Sequence, residues 1–205
     1  VFLVTGAAGF IGSHMVDYLL KKNFNVIGID NLKNGRLDNI KHNLKSKKFS
    51  FFKTDILKIN ILKKKIKSID YIIHFAGLGE VVPSIENPNL YLEQNIIGTS
   101  KVLDFSKKFK IKKFVYAASS SCYGLNNSKI REKDKISIEH PYALSKYLGE
   151  YVAFSLSKIY KIPVNSIRIF NAYGPRVRSN SNYGAVFGVF FKQKMSNKPL
   201  TVVGD

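Results

Sequence analysis

The chain has 205 residues, 45% of them apolar and 23% charged, which suits one folded domain or one and a fraction. That balance excludes a largely disordered or collagen-like chain, and no run of 18 uninterrupted apolar residues marks a membrane-spanning helix. The net charge is +19, and the single cysteine, Cys122, excludes an intrachain disulfide or a metal site built on several thiolates and fits a reducing, cytoplasmic compartment.

Short runs of Val, Ile, Phe and Tyr at 1–5, 25–30, 49–55, 71–75, 114–118 and 164–170 predict six strands. Their near-continuous apolar character marks strands buried on both faces, as in a parallel sheet. Helical patterns fall between them at 10–22, 56–67, 88–109 and 140–160, with a further one at 184–195. Alternating strands and helices predict an α/β fold, an open doubly wound parallel sheet with helices on both faces. Residues 124–140, with Asn126-Asn127-Ser128, read as a polar surface loop near a cleft. The opening on an apolar strand and the ending on Val202-Val203-Gly204-Asp205 lead us to expect a fragment of a longer protein, with residues 1–170 as one domain and 171–205 as the start of a smaller one.

The charge is carried by 28 Lys against 5 Arg. The densest runs, Lys63–Lys65 with Lys67 and Lys107 to Lys113, fall at predicted helix ends, where cations complement the helix dipole. Readers of phosphate and bases favour Arg forks, so the lysines read as solvated surface. Neither a nucleic-acid nor a membrane partner is expected, and the scattered histidines suggest no metal site.

The segment TGAAGFIG places Gly6, Gly9 and Gly12 between a strand and an amphipathic helix. Glycines there let the backbone turn tightly and approach a pyrophosphate, and the free amides and dipole of the new helix favour the anion. Asp30 ends the second strand. A carboxylate there accepts hydrogen bonds from an adenosine ribose and repels a 2′-phosphate, so NAD is favoured over NADP.

Tyr142 and Lys146 are spaced i, i+4 and share one helix face, with Pro141 at the helix start. An ammonium beside a phenol favours the phenolate, which predicts a Tyr142 pKa lowered toward neutrality and a base able to deprotonate a sugar hydroxyl. Upstream, Ser119-Ser120-Ser121 ends the fifth strand, where the ligand crevice of an open α/β sheet lies.

With TGAAGFIG, DNLKNGR (30–36), Asp55-Ile56, HFAGL (74–78), NIIGT (95–99), SSSCYG (119–124), PYALSK (141–146) and RIFNAYGP (168–175), the chain resembles the extended short-chain dehydrogenases/reductases. Within them it is most similar to the NAD-dependent sugar epimerases/dehydratases, especially the UDP-hexose 4-epimerases. The resemblance implies that Gly6, Gly9, Phe10, Ile11 and Gly12 hold the pyrophosphate of NAD. Asp30, Asn31 and Asn34 would hold the adenosine ribose, and Asp55 and Ile56 the adenine. Phe75, Ala76, Gly77 and Asn95 would line the dinucleotide groove, with Phe170 near the nicotinamide. Ser119 and Tyr142 would be catalytic, with Lys146 as their partner on the nicotinamide ribose. Ser84, Ser119 and Asn171 would contact a UDP-sugar. The implied reaction is epimerisation at carbon four through a 4-keto sugar. A 4,6-dehydratase would carry an Asp-Glu pair after the catalytic residue, where this chain has Ser120 and Ser121. Gly79 stands where typical UDP-galactose 4-epimerases carry a lysine, which resembles enzymes acting on N-acetylated or uronic-acid UDP-sugars. A homodimer is implied through the helices at 88–109 and 140–160. Two non-enzyme readings stay open: an NAD-binding scaffold and a binder of acidic surfaces.

Overall fold

The computed structural model describes residues 1–125, 129–177 and 186–201. Six strands run parallel in one sheet: β1 (Phe2–Thr5), β2 (Val26–Asp30), β3 (Phe49–Lys53), β4 (Tyr71–His74), β5 (Lys113–Ser119) and β6 (Val164–Ile169). Their order is β3-β2-β1-β4-β5-β6, the doubly wound order whose direction reverses between β1 and β4. Each expected strand is present, within one or two residues at either end.

The apolar runs are explained by burial on both sides. Leu3 and Ile72 face one core, and their neighbours Val4 and Ile73 face the other. Helix α1 (Phe10–Lys21) covers the second core through Val16 and Leu19. Helices α2 (Val81–Glu86), α3 (Pro88–Leu92), α4 (Gly98–Ser106) and α5 (Pro141–Tyr160) follow in the chain. Val102, Leu103 and Phe105 of α4 and Ala153 of α5 pack on the first core.

Two helical expectations change form. Residues 56–67 do not make an α-helix: Ile56–Leu62 is a 3-10 segment interrupted at Lys58 (φ −108°, ψ 15°). Its buried residues, Ile56, Ile59 and Leu62, recur every three positions, the spacing that eclipses in a 3-10 turn. The run at 88–109 is helical only to Ser106, and a five-residue π segment, Glu93–Ile97, separates α3 from α4. Helix α2 was not anticipated, because Pro83 sits within it.

The chain divides into two compact units, Val1–Phe170 and Asn171–Asp205. In the second, α6 (Val186–Met195) supplies Phe187, whose ring centroid lies 5.3 Å from that of Tyr173, and Gln193, which is hydrogen-bonded to Thr201. Asn126-Asn127-Ser128, the expected helix start at 184–185 and the terminal Val202-Val203-Gly204-Asp205 lie outside the described residues.

Candidate active site

The glycine loop after β1 leaves no room for side chains. Gly6 has φ +68°, and a Cβ there would sit 2.8 Å from the Ala76 amide nitrogen. A Cβ on Gly12 would overlap the Gly6 carbonyl oxygen. Gly9 begins α1 with no side-chain cap and no acidic residue in the first turn. The first-turn amides of Phe10, Ile11 and Gly12 therefore suit an anion.

Asp30 closes one side of this loop. Its carboxylate is buried and accepts from Ala8 N at 3.0 Å and Leu32 N at 2.8 Å. Burial raises its pKa, and the amide hydrogen bonds of Leu32, Ala8 and Gly9 oppose that shift. Two carboxylate oxygens offer more acceptor positions than these amides fill, so acceptors remain for ribose hydroxyls. Asn31 donates to Asp55 at 2.9 Å, and Asp55 also caps Leu57 N at 3.0 Å, bringing both residues and buried Ile56 together at the ends of β2 and β3. Asn34 is exposed and has no hydrogen bond among those described.

Asn95 is fully engaged. Within the π segment its Oδ1 accepts from Leu78 N at 2.8 Å, and its Nδ2 donates to Leu78 O at 3.0 Å and Ser145 Oγ at 2.8 Å. It clamps the loop of Phe75, Ala76 and Gly77 to α5. A Cβ on Gly77 would run into Asn95 Oδ1.

A buried chain of hydrogen bonds runs beneath that loop. Ala76 N donates to Thr5 Oγ1 (3.2 Å), which lies 2.6 Å from His74 Nδ1. His74 Nε2 lies 3.1 Å from Thr99 Oγ1, which donates to Asn95 O at 2.6 Å. Because the Thr99 hydrogen is committed to Asn95 O, Nε2 of His74 carries the ring proton and Nδ1 accepts from Thr5. Burial, helped by the charge on Lys146, pushes the His74 pKa down to about 3, so the ring is neutral.

Ser119 ends β5 with its Oγ 3.1 Å from Ser121 Oγ and accepting from Ser121 N at 3.2 Å. The Ser119 hydroxyl faces the Tyr142 phenol closely enough to oppose the rise in its pKa. The Tyr142 ring stacks on His140 (centroids 5.8 Å apart) and meets Tyr91 edge-on at 6.5 Å. His140 caps α5 by accepting from Ala143 N at 3.1 Å. Lys146 is buried, its Nζ 4.7 Å above the Tyr116 ring, and burial lowers its pKa to about 8 while Glu150 opposes the shift.

The expectation of a phenol poised near neutrality by Lys146 is corrected here. Burial raises the Tyr142 pKa, and the opposing influence is the Ser119 hydroxyl, with no contribution from Lys146. The ammonium sits over Tyr116, and desolvation lowers its own pKa.

Ser84 lies beside the first turn of α5. Its buried Oγ accepts from Tyr142 N at 3.0 Å and donates to Val81 O, so it fixes the first turn of α5. Phe170 is 57% exposed at the end of the first unit, and Asn171 opens the second unit, where it is exposed.

Sequence reasoning missed one cluster. Arg168 forks onto buried Glu150 (Nη2–Oε2 2.9 Å, Nε–Oε2 3.1 Å) and donates to the Tyr123 hydroxyl at 2.6 Å and Glu132 O at 3.2 Å. One guanidinium thus ties α5 to the turn behind Ser119. The available signal was Glu150, one helical turn beyond Lys146 on the same face.

The profile of the NAD dependent epimerase/dehydratase family matches residues 2–205. The chain is 37% identical to the uncharacterized UDP-glucose epimerase YtcB of Bacillus subtilis, over 99% of this chain and 65% of that protein. It is 34% identical to a UDP-glucuronate 4-epimerase of Thermodesulfobacterium geofontis, over 100% of this chain and 64% of that protein. A UDP-N-acetylglucosamine 4-epimerase from Methanobrevibacter ruminantium, solved with UDP-N-acetylmuramic acid, superposes with a TM-score of 0.93 at 34% identity, covering 100% of this chain and 65% of that one. The chain therefore spans about two thirds of the length of these relatives. It belongs to the NAD dependent epimerase/dehydratase family.

Proposed function

We propose that this family member epimerises a UDP-sugar at carbon four, with NAD as a bound cofactor and a transient 4-keto sugar as intermediate. The observation that carries the reading is the placing of Ser119 at the end of β5 with Tyr142 and Lys146 on successive turns of α5, at the carboxyl ends of the strands that hold the glycine cradle. The glycine loop, Asp30 and the loop clamped by Asn95 fit a dinucleotide.

When bound, NAD supplies the hydride acceptor for carbon four and a positive charge beside the phenol. Tyr142 would take the proton of the sugar 4-hydroxyl and, once the keto sugar has turned over and the hydride has come back to the other face of carbon four, would return the proton to the 4-oxygen, which Ser119 holds throughout. Lys146 lies within the same buried pocket, where it suits the nicotinamide ribose. Gly79 has open space around it, which leaves room for a substituted sugar. Together with the 4-epimerases among the relatives, this favours an N-acetylated or uronic-acid UDP-sugar. The 4,6-dehydratase reading is weaker, because Ser120 and Ser121 offer hydroxyls where elimination needs an acid and a base.

The same reading takes residues 1–170 as the NAD-binding domain and 171–205 as the start of the substrate region. A homodimer is supported by the exposed apolar stripe of Leu144, Tyr151 and Phe154 on α5 beside Leu90 and Ile97. A cytoplasmic setting is supported by Cys122, a buried free thiol. The test is Tyr142→Phe in the whole protein. Turnover should fall by about a hundredfold or more while NAD stays bound. Wild-type turnover by that variant would remove Tyr142 as the base.

A further inference from the structure

The lysines that read as scattered surface charge in the sequence are gathered by the fold. Five segments, 21–25, 44–48, 63–70, 107–113 and 158–163, lead into β2, β3, β4, β5 and β6 at the amino-terminal edge of the sheet. They contain 16 of the 28 lysines, no arginine and one acidic residue, Asp70. All but Lys113 of these lysines are exposed.

The segments touch one another in series. Lys48 Nζ donates to Asn23 O at 3.3 Å, Lys108 Nζ to Ile66 O at 3.3 Å, and Lys112 pairs with Asp70 at 3.1 Å. Lys107 Nζ lies 4.8 Å from the Tyr160 ring centroid. Between the turns lies a hollow of about 270 Å³ whose rim carries Lys47, Lys48, Lys65 and Lys67 with the hydroxyls of Ser50 and Ser68. Large apolar side chains stand exposed within or beside the same field: Phe24, Leu44, Ile61 and Ile159. Helix dipoles favour a cation or two at each helix end. They do not account for sixteen lysines against two carboxylates, Asp70 and Asp104, the latter paired with Lys107 at 2.6 Å.

We propose that this amino-terminal edge of the sheet docks on the surface of an anionic phospholipid membrane. Ammonium groups without arginine forks suit a diffuse negative surface potential, and exposed aliphatic and aromatic side chains among them can enter the headgroup layer. A nucleic acid would leave Leu44, Ile61 and Ile159 in water and would favour arginine. Docked this way, the crevice at the opposite, carboxyl-terminal edge stays open to the aqueous side. The proposal does not depend on the reaction assigned above.

The experiment is flotation of the whole protein with vesicles of phosphatidylglycerol and phosphatidylcholine, against phosphatidylcholine alone and against a short random-sequence DNA duplex. Binding should be confined to the anionic vesicles and weaken about tenfold or more between about 0.1 M and 0.5 M salt. The quadruple variant Lys47→Glu, Lys65→Glu, Lys67→Glu, Lys110→Glu should lose vesicle binding at least tenfold while keeping its circular dichroism. The matched variant Lys53→Glu, Lys129→Glu, Lys133→Glu, Lys135→Glu changes the same charge away from this edge and should bind as the parent does. Equal losses in both variants, no binding to anionic vesicles, or duplex binding without vesicle binding would each overturn the proposal.

Discussion

Asn95→Ala tests how the cofactor loop is held. The Asn95 side chain is 1% exposed and makes three hydrogen bonds, two to Leu78 and one to Ser145. At about 1 kcal/mol for each bond, the loss is about 3 kcal/mol, or roughly two orders of magnitude in the folding equilibrium. For a domain of this size that corresponds to a fall of roughly 6–12 °C in Tm. The loss should not be confined to stability. With Leu78 released, the backbone of Phe75, Ala76 and Gly77 is no longer tied to α5, so NAD affinity should fall by about tenfold or more. The assay is thermal unfolding followed by circular dichroism, with NAD titrated calorimetrically into cofactor-free protein. Glu93→Ala, an exposed change two residues away in the same π segment, is the control. A Tm within about 1 °C of the parent, together with unchanged NAD affinity, would refute the clamp.

Asp30→Ala removes a buried acceptor of two loop amides and the group suited to the ribose. NAD affinity should drop roughly 10- to 100-fold in the same calorimetric titration, and an unchanged value would place the ribose elsewhere. His74 sets a pH dependence of stability. Its folded pKa of about 3 lies below the ordinary 6.5, so the unfolded chain binds a proton that the folded chain refuses. Stability from this group is full above about pH 6.5 and declines as the pH falls toward 3, by about 1.4 kcal/mol per pH unit. Urea unfolding between pH 7 and 5 should show this slope in the parent and a slope shallower by one proton in His74→Asn. Equal slopes would mean that His74 titrates normally in the folded state.

Much of the site was legible because its chemistry is local in sequence. The glycine loop, Asp30, Ser119 and the Tyr142–Lys146 spacing each declare a role through residue type and strand or helix context. What stayed hidden depends on contacts between distant segments. Asn95 works through Leu78 and Ser145, 17 and 50 residues away, from a π segment that no periodicity reveals. The bond from the Tyr142 amide to Ser84 joins residues 58 apart and is likewise supplied only by the fold. The helix expected at 56–67 does not form because the buried Ile56, Ile59 and Leu62 recur every three residues and stack in a 3-10 turn. The Tyr142 pKa moves opposite to expectation because burial, which a sequence does not show, outweighs the Ser119 hydroxyl, while Lys146 lies over the Tyr116 ring instead.

The most direct test of the proposed reaction is to incubate the whole protein, without added cofactor, with UDP-N-acetylglucosamine, UDP-glucuronate and UDP-glucose in turn and read the sugar protons by NMR. The account predicts a 4-epimer from at least one of them, with the N-acetylated or uronic-acid sugar preferred. A 4-keto-6-deoxy product, or no product from any of the three while NAD remains bound, would contradict it.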